Sequence, residues 1–112
     1  MNLGFSSSLA GLNAAATAIT VSASNVSRVN VIGAEKQGVT FTTNDLGEVK
    51  AQVYTEKLTS SQKSAFAEYN PNTIDLASEF VNQMIFSTSF KANLALLNKS
   101  SNLEKSLVNL KV

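Results

Sequence analysis

The chain has no cysteine, no histidine and no tryptophan, and its 112 residues include a single proline, Pro71. Without cysteine there is neither a disulfide framework nor a thiolate metal site. Without histidine, the commonest general base and the commonest metal ligand are both missing. An excess of one charge is also lacking, since nine lysines and arginines face eight aspartates and glutamates. The basic residues are scattered, so no stripe is formed that would track a nucleic-acid backbone. No run of about 20 apolar residues is available to cross a bilayer. The amino terminus carries no positively charged region, and Ser6, Ser7, Ser8, Asn13, Thr17 and Thr20 interrupt its apolar residues. A cleaved secretory signal is therefore not expected.

What the chain has in quantity is serine, threonine and asparagine, 36 of 112 residues. These side chains compete for backbone hydrogen bonds, so any long helix must lean on packing rather than on intrinsic propensity. The sequence nevertheless reads as two long helices with a small β element between them.

The first part, residues 1–34, predicts one helix from about Leu3 to Val31. Phe5, Leu9, Leu12, Ala16, Ile19, Ala23 and Val26 recur at alternating steps of four and three, the spacing of a coiled-coil seam. No charged residue precedes Arg28. A solvated helix face normally carries lysine and glutamate. Its replacement by serine, threonine and asparagine suits a helix that several neighbours touch, where unpaired charge would be costly to desolvate.

The middle part, residues 35–70, changes period. Val39 and Phe41, and then Val49, Ala51 and Val53, alternate with polar residues, as half-buried strands do. Thr43-Asn44-Asp45-Leu46-Gly47 lies between them and is rich in turn formers. This predicts a β-hairpin, too small to stand alone, followed by a polar connection. The last part, residues 71–112, predicts a helix entered through Asn72 as N-cap, with Asp75 and Glu79 near the positive end of its dipole. Leu76, Phe80, Met84, Phe90, Leu94 and Leu97 keep helical spacing, and Leu103, Leu107 and Leu110 continue in a shifted register. The expected fold is thus mainly α with a small β part. Long N- and C-terminal helices pack as a coiled-coil-like pair with a short hairpin between them, in one structural domain.

Candidate chemistry is thin. Ser60-Ser61-Gln62-Lys63 formally matches the Ser-x-x-Lys nucleophile motif, but 15 serines and eight lysines in 112 residues produce about one such match by chance. A nucleophile also needs a positioned base and oxyanion donors, and the surrounding segment has almost nothing apolar to enclose them. The glycines are isolated and form no phosphate loop. No catalytic residue, cofactor or metal site is expected.

Both ends resemble the flagellar axial proteins, the rod, hook and hook-associated components of bacteria. Ser8-Leu9-Ala10-Gly11-Leu12-Asn13-Ala14-Ala15 is similar to the opening of their amino-terminal helix. Ser24-Asn25-Val26-Ser27-Arg28-Val29-Asn30 is similar to the Ser-Asn-Asn-Ile-Ala-Asn-x-Asn motif that closes it. Of the Thr-Pro-Gly-aromatic turn that usually follows, only Gly33 remains. Asn72-Thr73-Ile74-Asp75-Leu76-Ala77-Ser78-Glu79-Phe80 resembles the family's Asn-Val-Asp-Leu-x-x-Glu signature. Phe90-Lys91-Ala92-Asn93 and Leu107-Val108-Asn109-Leu110 resemble its later elements. The resemblance implies a structural subunit of the basal-body rod, most like a small proximal rod protein. Such a subunit would be exported through the flagellar type III apparatus and would assemble with copies of itself and other axial proteins. It would use the two seams, together with Asn25, Asn30 and Asn93, as its assembly interface, with no nucleic acid and no direct membrane span. The alternative is an autonomous helical-hairpin adaptor that binds a single partner protein.

Overall fold

In a computed structural model, the protein is described over residues 2–57 and 74–110. The polar connection with Ser60 and Lys63, and Asn72 with it, lie outside the described residues. The chain is mainly helical. Helix α1 spans Asn2–Ser27, strands β1 and β2 span Gln37–Thr43 and Val49–Thr55, and helix α2 spans Leu76–Leu110. The two helices run antiparallel, for Gly11 lies against Asn93 while Asn25 lies against Glu79.

The row that packs α1 into this fold is not the aliphatic one. Ser8, Gly11, Ala15, Ala18, Ser22 and Asn25, at steps of three and four, are all buried. Each of the last six predicted seam residues, from Leu9 to Val26, lies one position beyond a member of this row, a rotation of about 100° on a helix of 3.6 residues per turn. Of the predicted seam only Leu12 is buried; Ile19 and Val26 are half-buried, and Phe5, Leu9, Ala16 and Ala23 are exposed. The cause is the small side chains. At Gly11 a Cβ atom would overlap the side-chain amide of Asn93, so the glycine leaves the room that this side chain occupies. The bulkier aliphatic row is turned to the flank.

On α2 the sheltered positions include Glu79, Asn82, Phe86, Phe90, Asn93, Leu97, Ser100 and Glu104, again at steps of three and four, flanked by Ser78, Gln83, Ser87 and Ser101. Phe90, Asn93 and Leu97 were expected on this helix's seam or interface and lie half-buried there. Leu76, Phe80, Met84, Leu94, Leu107 and Leu110 are exposed. Asp75 caps the start of α2: its Oδ1 accepts from the Ala77 amide at 3.2 Å, and its Oδ2 accepts from the Ser78 hydroxyl at 2.8 Å.

The hairpin is antiparallel, in register from Gln37↔Thr55 to Thr43↔Val49. Asn44 organises its loop, with Oδ1 accepting from the amides of Leu46 at 3.0 Å and Glu48 at 2.9 Å. Gly47 completes the turn at φ +81° with open space around it. Gly47→Ala therefore costs backbone strain alone, about 1 kcal/mol, and a thermal melt should register it as a fall of about 5 °C. Two strands need support. It comes from Phe41, whose ring meets Phe86 of α2 edge-on at 6.1 Å between centroids, and from the flank of α1 around Ala14 and Val21, both buried.

The molecule is long and thin, 73 × 25 × 14 Å, with a radius of gyration of 19.3 Å. A compact chain of this length has about 13 Å. It exposes 7532 Å², where a compact chain of its mass exposes about 5,900 Å². The excess, about 1,600 Å², is about twice what one partner contributes to a standard protein–protein interface.

Candidate assembly surface and its polar joint

The three most deeply buried large side chains among the described residues are Glu79, Asn25 and Ser22. All are polar, and all belong to one network. Asn25 sits two residues before the end of α1 and uses its full hydrogen-bonding capacity. Its Nδ2 donates to the Gln37 carbonyl at 2.7 Å and to Glu79 Oε1 at 3.1 Å. Its Oδ1 accepts from the Gln37 amide at 3.0 Å and from Arg28 Nη2 at 2.9 Å. The paired bonds to Gln37 imitate a strand ladder, so this side chain begins the hairpin as well as ending the helix.

Glu79 approaches from α2 and is 1% exposed. Besides the bond to Asn25, its Oε2 lies 3.6 Å from Lys36 Nζ. Ser22 Oγ donates to its backbone carbonyl at 3.1 Å. Arg28 Nη1 reaches back to the Glu35 carbonyl at 2.8 Å and ties down the turn after α1, where Gly33 takes φ +79°. One joint thus links α1, α2, the turn and β1. A narrow cleft of about 180 Å³ runs beside it, lined by Ser22, Lys36, Tyr54, Glu79 and Asn82 among others.

Outside this joint the surface is apolar to an unusual degree. Phe80 is 51% exposed, Met84 70% and Leu110 81%, with Ile85, Leu96, Leu103 and Leu107 also open to solvent. On α1 the uncharged flank carries Phe5, Leu9, Ala16 and Ala23. Large exposed apolar side chains that cluster on a surface mark contact sites in soluble proteins.

No family model matches the sequence, and no curated protein is similar to it. The site must be read from its own geometry.

Among the described residues no group of His, Cys, Asp or Glu comes together that could hold a metal, and no helix is long and apolar enough to cross a membrane. Of the expected interface residues, Asn25 enters the buried joint, and Asn93 and Leu12 enter the packed interior. Asn30 lies exposed in the turn after α1. Sequence reasoning missed the roles of Ser22, Lys36 and Gln37, and it assigned Glu79 to dipole compensation. One signal was available for Glu79. It is the first acid within the helix proper, and the helix it packs on has no charge of its own, so any partner had to come from beyond Ser27.

Proposed function

We propose that this chain is a structural subunit of the bacterial flagellar basal-body rod, assembling through its two long helices with copies of itself and with other axial proteins. The observation that carries the reading is the exposed apolar surface on both helices of an elongated, underfilled fold. Neighbouring subunits supply the burial that one chain of this shape lacks. Two further features support it. The first helix carries no charge that packing would have to desolvate. The two stretches most like the axial motifs, around Asn25 and around Asp75 to Glu79, meet in the polar joint. Export through the type III apparatus and a place in the periplasmic rod follow from the same reading.

Phe80→Asp tests it. Phe80 is half-exposed, so an aspartate there stays hydrated and the purified variant should melt within about 0.5 kcal/mol of the native chain. A null strain complemented with Phe80→Asp should fail to swim and lack the protein in isolated basal bodies. Normal swimming and normal incorporation would count against this face as an assembly surface.

A further inference from the structure

Asn25 opposite Glu79 and Gly11 opposite Asn93 define one register. The buried row of α1 is otherwise serine, glycine and alanine repeated at heptad spacing. Small side chains of nearly equal size make poor markers of position. Shifting α1 by seven residues brings Ala18 or Gly4 to the place of Gly11; the Ala18 Cβ would meet the Asn93 amide there, whereas the other slip leaves the small-residue row intact. Seam size alone therefore leaves a slipped register open.

The carboxylate does. After a shift of one heptad in one direction, Glu79 faces Ala18 in place of Asn25. After the opposite shift it faces a position beyond the end of α1, which stops at Ser27. In either case a carboxylate now 1% exposed loses the amide donor on Oε1. Lys36, which lies next to Gln37 at the root of the hairpin, loses its aligned partner too. Leaving one member of a buried charge pair unsatisfied is among the costliest changes a packed interface can suffer. A single polar pair in an otherwise uniform seam is also the best-attested way to specify register in paired helices.

We infer that Asn25 and Glu79 form the specificity-determining pair that selects one register of the helix pair and, through Gln37 and Lys36, seats the hairpin at that register only. The pair is a positioning device rather than the main source of stability. The inference holds whether or not the chain is a rod subunit.

The absence of native cysteine makes disulfide trapping of the full chain a clean test. Gly11→Cys with Asn93→Cys reports the observed register. Ser8→Cys with Ser89→Cys and Ser8→Cys with Leu103→Cys report a slip of one heptad in either direction. In the observed register each slip pair is offset by about 10 Å along the axis, too far to bridge. In the native background only the first pair should oxidise. In an Asn25→Leu/Glu79→Leu background the helices should still pair, since apolar replacement of both partners is often neutral for stability. The share of slipped bridges should then rise at least about tenfold. Glu79→Gln keeps an acceptor for Asn25 and should restore a single register. A double-leucine chain that still gives only the Gly11/Asn93 bridge would overturn the inference. So would loss of every bridge together with loss of helicity, which would make the pair a stability element. A native background that already yields slipped bridges would overturn it as well.

Discussion

Asn25→Ala should lower the stability of the folded chain by about 3 kcal/mol or more. The alanine removes four hydrogen bonds at once. What remains is worse than their absence, because Glu79 stays buried with only Lys36, at 3.6 Å, to answer its charge. Removing one partner of a buried ionic group typically costs 3–5 kcal/mol, on the order of ten times a surface ion pair. Water reaching the carboxylate through the adjoining cleft would hold the loss toward the lower end. Small domains have a net stability of only about 5–15 kcal/mol, and a thin fold with little enclosed core belongs near the bottom of that range. Urea unfolding followed by circular dichroism should show the midpoint falling steeply. Asn13→Ala, at an exposed position of the same helix, should move it by less than about 0.5 kcal/mol. Equal effects at the two asparagines would mean that the joint does not hold the helices together.

The second large effect separates two leucines that sequence pattern alone treats as equivalent. Leu12 is 8% exposed and Leu9 is 44% exposed, although both belong to the same heptad row. At Leu12 an aspartate would be buried beside Ser8 and Ala15 with no cation anywhere on α1 to answer it. The cost is several kcal/mol, through desolvation and lost packing together, enough to unfold the chain. At Leu9 the same aspartate stays hydrated. Leu9→Asp should keep the native melting curve and lose only self-association. Thermal melts and light scattering on the two variants distinguish the cases. If both melted normally, or both unfolded, the rotation of α1 described here would be wrong.

That rotation marks where the sequence stopped being legible. The two helices and the hairpin were readable because Phe5 to Val26, Leu76 to Leu97 and Val39 to Val53 carry clear periods of 3.5 or 2. The phase of α1 was not readable. Two rows with identical spacing run side by side, Leu9-Leu12-Ala16-Ile19-Ala23-Val26 and Ser8-Gly11-Ala15-Ala18-Ser22-Asn25. Hydrophobicity favours the first. Room for side chains of α2 such as Asn93, which transfer free energy does not register, selects the second. The same logic hid Glu79. A glutamate in the first turn of a helix suits the dipole, and only the tertiary pairing with Asn25 reveals why an acid is buried there. Asn25 itself stood out through motif resemblance, not through any physical signal in its neighbourhood. Asp75 caps α2, which begins at Leu76; the expected cap, Asn72, lies outside the described residues.

The central claim is that this chain is built to be completed by neighbours. Sedimentation velocity of the purified full chain across a concentration series tests it most directly. The account predicts species that grow with concentration beyond a dimer, and growth that Leu9→Asp and Phe80→Asp abolish without unfolding the protein. A single monomeric or dimeric boundary at every concentration, unchanged in both variants, would contradict it and favour an adaptor that binds one partner.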